Sequence, residues 1–274
     1  MDPSSLLALP LALPSQPRVV ALLMSELAPA EPNLRRVNQL FSGDPMLAGR
    51  LLEEANSPAH GAERCIGGVA SALALLGVAQ LRSLVGSARL GTASRSVPGI
   101  DLRQFWRYSL YSAKLSRSLA GLLRHDQQLA YTVGLLHGLG ELVLHLADPP
   151  RIQSINTLMG PLDVRRARLE QHLLGFSYAE LSAGLAQRWQ LPEAAVDALR
   201  HHVTPLENPS YEPLAAVLHL AAWRARGRVT QRSERELAGS FPGEVAVVLG
   251  LDIDMVLQQD PIDWHVGPDD ADSR

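Results

Sequence analysis

His137 lies in the run Gly134-Leu135-Leu136-His137-Gly138-Leu139-Gly140, and His201-His202 follow further along the chain. Neutral imidazoles hold metal ions or shuttle protons near neutral pH. These three could bind zinc. Magnesium, manganese or iron sites need hard carboxylate oxygens as well, and the residue after His137 is Gly138. His137 is therefore expected to be a packed helix histidine whose ring hydrogen-bonds a backbone carbonyl or Tyr108. His201 and His202 are read the same way. Adjacent helix residues diverge by about 100°, so one ring should face the core and the other the lobe interface or solvent. Other chemistry has no support: there is no Gly-x-Ser-x-Gly elbow, phosphate-binding glycine loop or His-Glu-x-x-His helix. Glu31 and Glu53-Glu54 read as surface charges. Cys65 reads as a small buried hydrophobe with no histidine paired to it.

The elements that must position these residues are helical. Asp44-Pro45 is an N-cap followed by proline at the first helical position, where the missing N–H costs nothing. Asn56 suits a helix exit, and Ser57 a cap or turn. Ser177-Tyr178-Ala179-Glu180 has the form of a capping box, with Leu181, Leu185 and Trp189 on one face after it. Pro192 begins the next helix. No window alternates Val, Ile and Thr with period two, so the expected fold class is all-α. Gly91 to Asp101 is rich in turn formers and predicts a link between two lobes. Pro149-Pro150 and Asn208 to Pro213 read as loops. Further helical pieces are expected over Ser233–Leu249 and Leu251–Gln259. The tail bearing Asp263, Asp269, Asp270 and Asp272 should fray.

Composition allows a large core, with 46% hydrophobic residues in 274. The net charge is -3 and Lys114 is the sole lysine, which gives no case for a nucleic-acid partner. Arg165-Arg166-Arg168 and Arg224-Arg226-Arg228 read as solvated helix faces. One cysteine permits no intramolecular disulfide and suits a reducing compartment. The N-terminus lacks a basic segment before Leu6–Leu13, so no signal peptide is expected. Apolar stretches such as Val69–Leu76 fall well short of the ~20 residues of a membrane helix, and a cytoplasmic protein is expected.

Several motifs carry a family resemblance. The helix Asp44-Pro45 to Ala55 runs into Asn56-Ser57-Pro58, and Ala70 to Gly77 follows. Then come Phe105-Trp106-Arg107-Tyr108-Ser109-Leu110, the His137 run, Trp189-Gln190-Leu191-Pro192, and His201-His202. Together these resemble the HDOD domain, a non-enzymatic branch of the HD phosphohydrolase superfamily, over roughly residues 10 to 226. The resemblance implies a two-lobed helical fold. It also implies a lost metal site. The first ligand histidine is replaced by Tyr108, the motif aspartate by Gly138, a following histidine by Tyr178, and a terminal aspartate by Ala222, leaving His137, His201 and His202. Glu141 stands where many relatives have a lysine. Asp44, Pro45, Asn56, Ser57, Gly77, Trp106, Trp189 and Pro192 are the positions that carry the signature.

The expected organisation is a first lobe over 10–90, a linker over 91–100, and a degenerate HD-like lobe over 101–226. A helical extension over 227–259 and an acidic tail over 260–274 complete it. About 48 residues follow Arg226, so no output domain is expected. By resemblance, the chain is a regulatory or scaffolding protein of bacterial signal transduction, of a kind often found with cyclic-dinucleotide or two-component systems. It should bind a partner protein without metal, cofactor or catalysis. One rival reading is a sensor that takes a nucleotide or cyclic dinucleotide in the emptied metal pocket, with Arg107 and Arg200 on phosphate. The other is a residual phosphohydrolase.

Overall fold

The computed structural model describes residues 2–61, 65–92, 96–210 and 212–262. Among these residues there is no strand, and the fold is all-α, as expected. The helices are α1 (Pro3–Leu7), α2 (Pro17–Leu27), α3 (Leu34–Ser42), α4 (Pro45–Ala55), α5 (Val69–Leu75) and α6 (Val78–Thr92). They continue with α7 (Leu102–Leu122), α8 (Gln127–Leu136), α9 (Leu139–Ala147), α10 (Pro149–Leu158), α11 (Arg166–Leu174) and α12 (Tyr178–Arg188). The last are α13 (Glu193–His201), α14 (Pro213–Val229), α15 (Glu234–Gly239), α16 (Gly243–Val248) and α17 (Ile253–Gln258).

Short polar side chains start most of the helices that matter to the site. Asp44 is fully buried and accepts from Met46 N at 2.9 Å, Leu47 N at 2.8 Å and Gln16 N at 2.6 Å. One carboxylate thus caps α4 and pins the entry to α2; an N-cap contributes about 1 kcal/mol. Asp101 and Asp126 cap α7 and α8 through two N–H groups each. Ser177 and Glu180 close the capping box of α12.

Helices α2 to α6 pack together as one lobe, and α7 to α14 as a second in which α14 lies against α7, α8 and α13. The two lobes are joined by residues that carry the sequence signature. Asn56, the C-cap of α4, is buried and donates through Nδ2 to the carbonyls of Ile66 (3.0 Å) and Trp189 (3.2 Å), while Oδ1 accepts from Ile66 N at 2.7 Å. The Trp189 ring covers Gly49, where a methyl group would sit 2.5 Å from the ring. Gly67 meets Leu129 and Pro192 in the same way. Helix α1 packs on α9 and α12, in the second lobe.

Several expectations are corrected. Pro149-Pro150 is the start of α10, capped by Asp148, because proline is tolerated in a first turn. Cys65 is exposed, since it precedes α5 in extended chain. Gln127–Ala147, across α8 and α9, is a longer apolar stretch than Val69–Leu76. By length and composition it could cross a membrane, but 83% of its apolar window is buried inside the protein. Ser233–Leu249 is two helices, with Phe241-Pro242 between them. The helix α6 continues to Thr92, so two residues of the expected linker are helical. Ala93 to Arg95 of that linker, and the tail from Asp263 with Asp269, Asp270 and Asp272, lie outside the described residues.

Candidate functional site

Five helices bring the sequence-marked residues together. Tyr108 comes from α7, His137 caps the C-terminus of α8, and Gly138 starts α9. Tyr178 opens α12, and His202 follows the last residue of α13. Glycine makes the close approach possible. A Cβ on Gly140 would lie 1.9 Å from the Tyr178 carbonyl oxygen, so α9 touches the backbone of α12. Ser182 fixes the same junction: its Oγ donates to the His137 carbonyl at 2.7 Å and accepts from Gly140 N at 2.9 Å.

The rings form a chain. Tyr108 and His137 meet edge-on at 4.8 Å between centroids, His137 and His202 at 5.6 Å, and His202 and Tyr178 at 5.7 Å. Each histidine is anchored through Nδ1 to a backbone carbonyl: His137 to Gly134 at 2.8 Å, His202 to Leu199 at 2.8 Å, and His219 to His202 at 2.7 Å. That bond leaves Nε2 as the unprotonated nitrogen. Tyr178 donates its hydroxyl to Nε2 of His202 at 3.3 Å, while Nε2 of His137 is buried with no partner. Burial pushes His137 down to about 4 and His202 well below its usual value, and raises both Tyr108 and Tyr178. The site therefore holds neutral imidazoles and neutral phenols at pH 7.

This donor set does not fit the divalent metal of the HD superfamily. The orphaned Nε2 of His137 is ligand-ready. Around it, however, are phenols that keep their protons, a glycine, and an arginine. Arg226, on α14, donates through Nη2 to the Tyr108 hydroxyl at 3.1 Å and sits over the Tyr108 ring at 5.8 Å. Ala222 is one helical turn before it, so Ala222 and Arg226 share a face of α14. A fixed cation here opposes a second one. Among the described residues no three His, Cys, Asp or Glu side chains are grouped to hold a metal ion. His201 lies apart, half-buried and 3.6 Å from Asp197.

Beside this cluster opens a cavity of 510 Å³, lined by Tyr108, Gly138, Tyr178, Glu141 and Arg226 and by the apolar Phe105, Ile100, Pro161 and Leu162. Arg107 and Arg200, expected on phosphate, are exposed and do not line it. Arg226, read from sequence as part of a solvated face, takes that place. The other arginine run is corrected likewise: Arg166 is the largest fully buried side chain. Its Nε is 2.5 Å from Glu170 Oε1, and Nη1 donates to Asn156 Oδ1 at 2.8 Å and the Met159 carbonyl at 2.7 Å. Glu170 in turn accepts from Tyr178 N at 2.8 Å. Glu141, in the cavity lining, is 3.6 Å from Arg166 Nη2, with both carboxyl oxygens lacking a hydrogen bond. Burial, then the Glu170 charge, push its carboxyl well above the usual range. So Glu141 does not simply remove a charge; it joins a buried network. The i,i+4 spacing of Arg166 and Glu170 is the one sequence signal that could have found it.

A curated protein of Treponema pallidum (strain Nichols), itself uncharacterised, is 29% identical over 186 residues, or 66% of this chain. The match spans only 36% of that protein's length. Among solved structures, the MmoQ response regulator of Methylococcus capsulatus (Bath) is 25% identical with a TM-score of 0.72, covering 90% of this chain and 97% of that one. A Shewanella amazonensis protein named provisionally as a phosphohydrolase is 27% identical with a TM-score of 0.53, covering 90% of each chain. The HDOD domain profile matches residues 13–205, more than half of the sequence, and the chain belongs to the HDOD family.

Proposed function

We propose that this HDOD protein is a regulatory component of bacterial signal transduction that acts by binding a partner protein and does not hydrolyse phosphate esters. One observation carries the reading: Arg226 sets its guanidinium against Tyr108, in the cluster where the family resemblance puts Tyr108, Gly138, Tyr178 and Ala222 at the ligand positions. Catalysis by this superfamily needs a cation to activate water, and the retained histidines supply only part of its cage. The likeness to a protein named as a response regulator supports a signalling role. The test is elemental analysis of protein purified without chelator or nickel, with phosphodiesterase and phosphatase assays alongside. Stoichiometric metal with turnover that depends on His137 would overturn the reading. A partner is established when a protein captured in the native host re-forms the complex from purified components.

The cavity supports a second reading, in which a small ligand tunes that association. Its size falls within the roughly 300–1,000 Å³ of small-molecule sites.

A further inference from the structure

We propose that the cavity beside Tyr108 and Arg226 binds a small organic acid that carries one anionic group and an apolar body. The inference deepens the sensing reading and is independent of any protein partner.

Arg226 is the only basic residue in the cavity lining. Its Nη2 is spent on the Tyr108 hydroxyl, and its Nε is buried without a hydrogen-bond partner. No carboxylate lies within 4.0 Å of it among the described residues. A buried guanidinium donor left open is costly, and an anionic oxygen is the group that satisfies it best. The two carboxylates of the lining are already engaged. Asp101 accepts from Arg103 N and Gln104 N, and Asp163 accepts from Arg165 at N, Nε and Nη2. Burial and the neighbouring Glu170 disfavour the charge of Glu141 and push its carboxyl well above the usual range.

The polar part of the lining therefore offers one positive charge, two phenol hydroxyls and one carboxyl whose charge burial disfavours. That complement matches a single carboxylate or phosphate monoester. A second phosphate would face Asp101 and Asp163, which disfavours a cyclic dinucleotide. The lining also includes Phe105, Ile100, Pro161 and Leu162, whose apolar side chains suit a ring or short aliphatic body.

The test is ligand-observed NMR and calorimetry on the full chain, with phenylacetate and phenyl phosphate as probes and phenylacetamide as the uncharged control. Adenosine monophosphate and a cyclic dinucleotide are run in parallel. The acids should bind at about 1 mM or tighter, as fragments of this size do, and the amide should not. Arg226→Met should weaken binding about 10-fold or more, while Arg107→Met and Arg200→Met leave it unchanged. Gly160→Trp, at the cavity wall where a Cβ would meet no atom within 4 Å, should also weaken it. Equal binding of amide and acid, or of wild type and a folded Arg226→Met, overturns the proposal. If the cyclic dinucleotide binds and the acids do not, the sensing reading stands and the ligand class falls. If nothing binds, both fall.

Discussion

The Arg226 guanidinium on α14 donates to the Tyr108 hydroxyl on α7 at 3.1 Å, beside the His137 ring that stacks edge-on against the same tyrosine. On the proposed reading, this pair makes a metal site of the superfamily type hard to build here. Tyr108→His, Gly138→Asp and Tyr178→His together return three of the four ligand types that the resemblance implies, yet leave a cation beside them. We expect that triple variant to take up little manganese or iron, and a quadruple variant with Arg226→Ala to take up at least ~10-fold more at equal metal activity. Gly138→Asp also needs Phe105 to yield, since a Cβ there lies 3.0 Å from its ring. Metal content by elemental analysis decides it. Full loading of the triple variant would show that Arg226 is no barrier.

The buried Arg166 network gives an asymmetric prediction. Glu170 receives both Arg166 and the Tyr178 N–H, so Glu170→Ala strands a guanidinium that is 1% exposed and should cost ~3–5 kcal/mol in urea unfolding. The Glu141 carboxyl oxygens have no hydrogen-bond partner and burial disfavours their charge, so Glu141→Gln should be neutral or stabilising by up to ~1 kcal/mol. Equal losses in the two variants would mean that Arg166 leans on both carboxylates.

Where local chemistry decides an element, it can be read from sequence: Asp44-Pro45 and Ser177-x-x-Glu180 start helices because caps act within one turn. The site was legible at Tyr108, His137, Gly138, Tyr178 and His202, which share the cluster, and not at His201, which faces away. Arg226 and Arg166 were read wrongly for one reason. A helical face in an arginine run is solvated or buried according to what packs on it. Here α7 covers Arg226, while Asn156 and the Met159 carbonyl hold Arg166, contacts that spacing along the chain does not encode.

Stability should fall as the solution is acidified below pH 6.5. His137 and His145 are both buried and held down to about 4 by desolvation. The unfolded chain binds their protons between pH 6.5 and 4 and the folded chain does not. Their contribution is therefore full above pH 6.5 and is lost toward pH 4, at ~3 kcal/mol each. His202 and His219 shift in the same direction. Glu141, Glu170 and Asp44 run oppositely, since a raised carboxyl loses stability as pH rises above its ordinary value, and they soften the decline. Calorimetric melting from pH 7 to 4.5 should show a steep decline that His137→Gln makes shallower. A flat profile would mean that the buried rings are reached by water.

Asn56 should matter more than a helix terminus does. Its side chain makes three hydrogen bonds, one of them to the Trp189 carbonyl in the other lobe, and it is only 4% exposed. Asn56→Ala leaves the Ile66 N–H and two carbonyls short of partners, at a cost of roughly 2–4 kcal/mol. Asn56→Asp should be no better, because it removes both donor bonds and turns a charge toward two carbonyl oxygens. A cap alone contributes about 1 kcal/mol, so the size of the loss separates the two roles. Hydrogen exchange adds a spatial readout: in Asn56→Ala, amides of α5 and of the Trp189–Leu191 turn should lose protection together, although they lie in different lobes. Loosening confined to residues near Asn56 would show that Trp189 and Gly49 hold the lobes together without it.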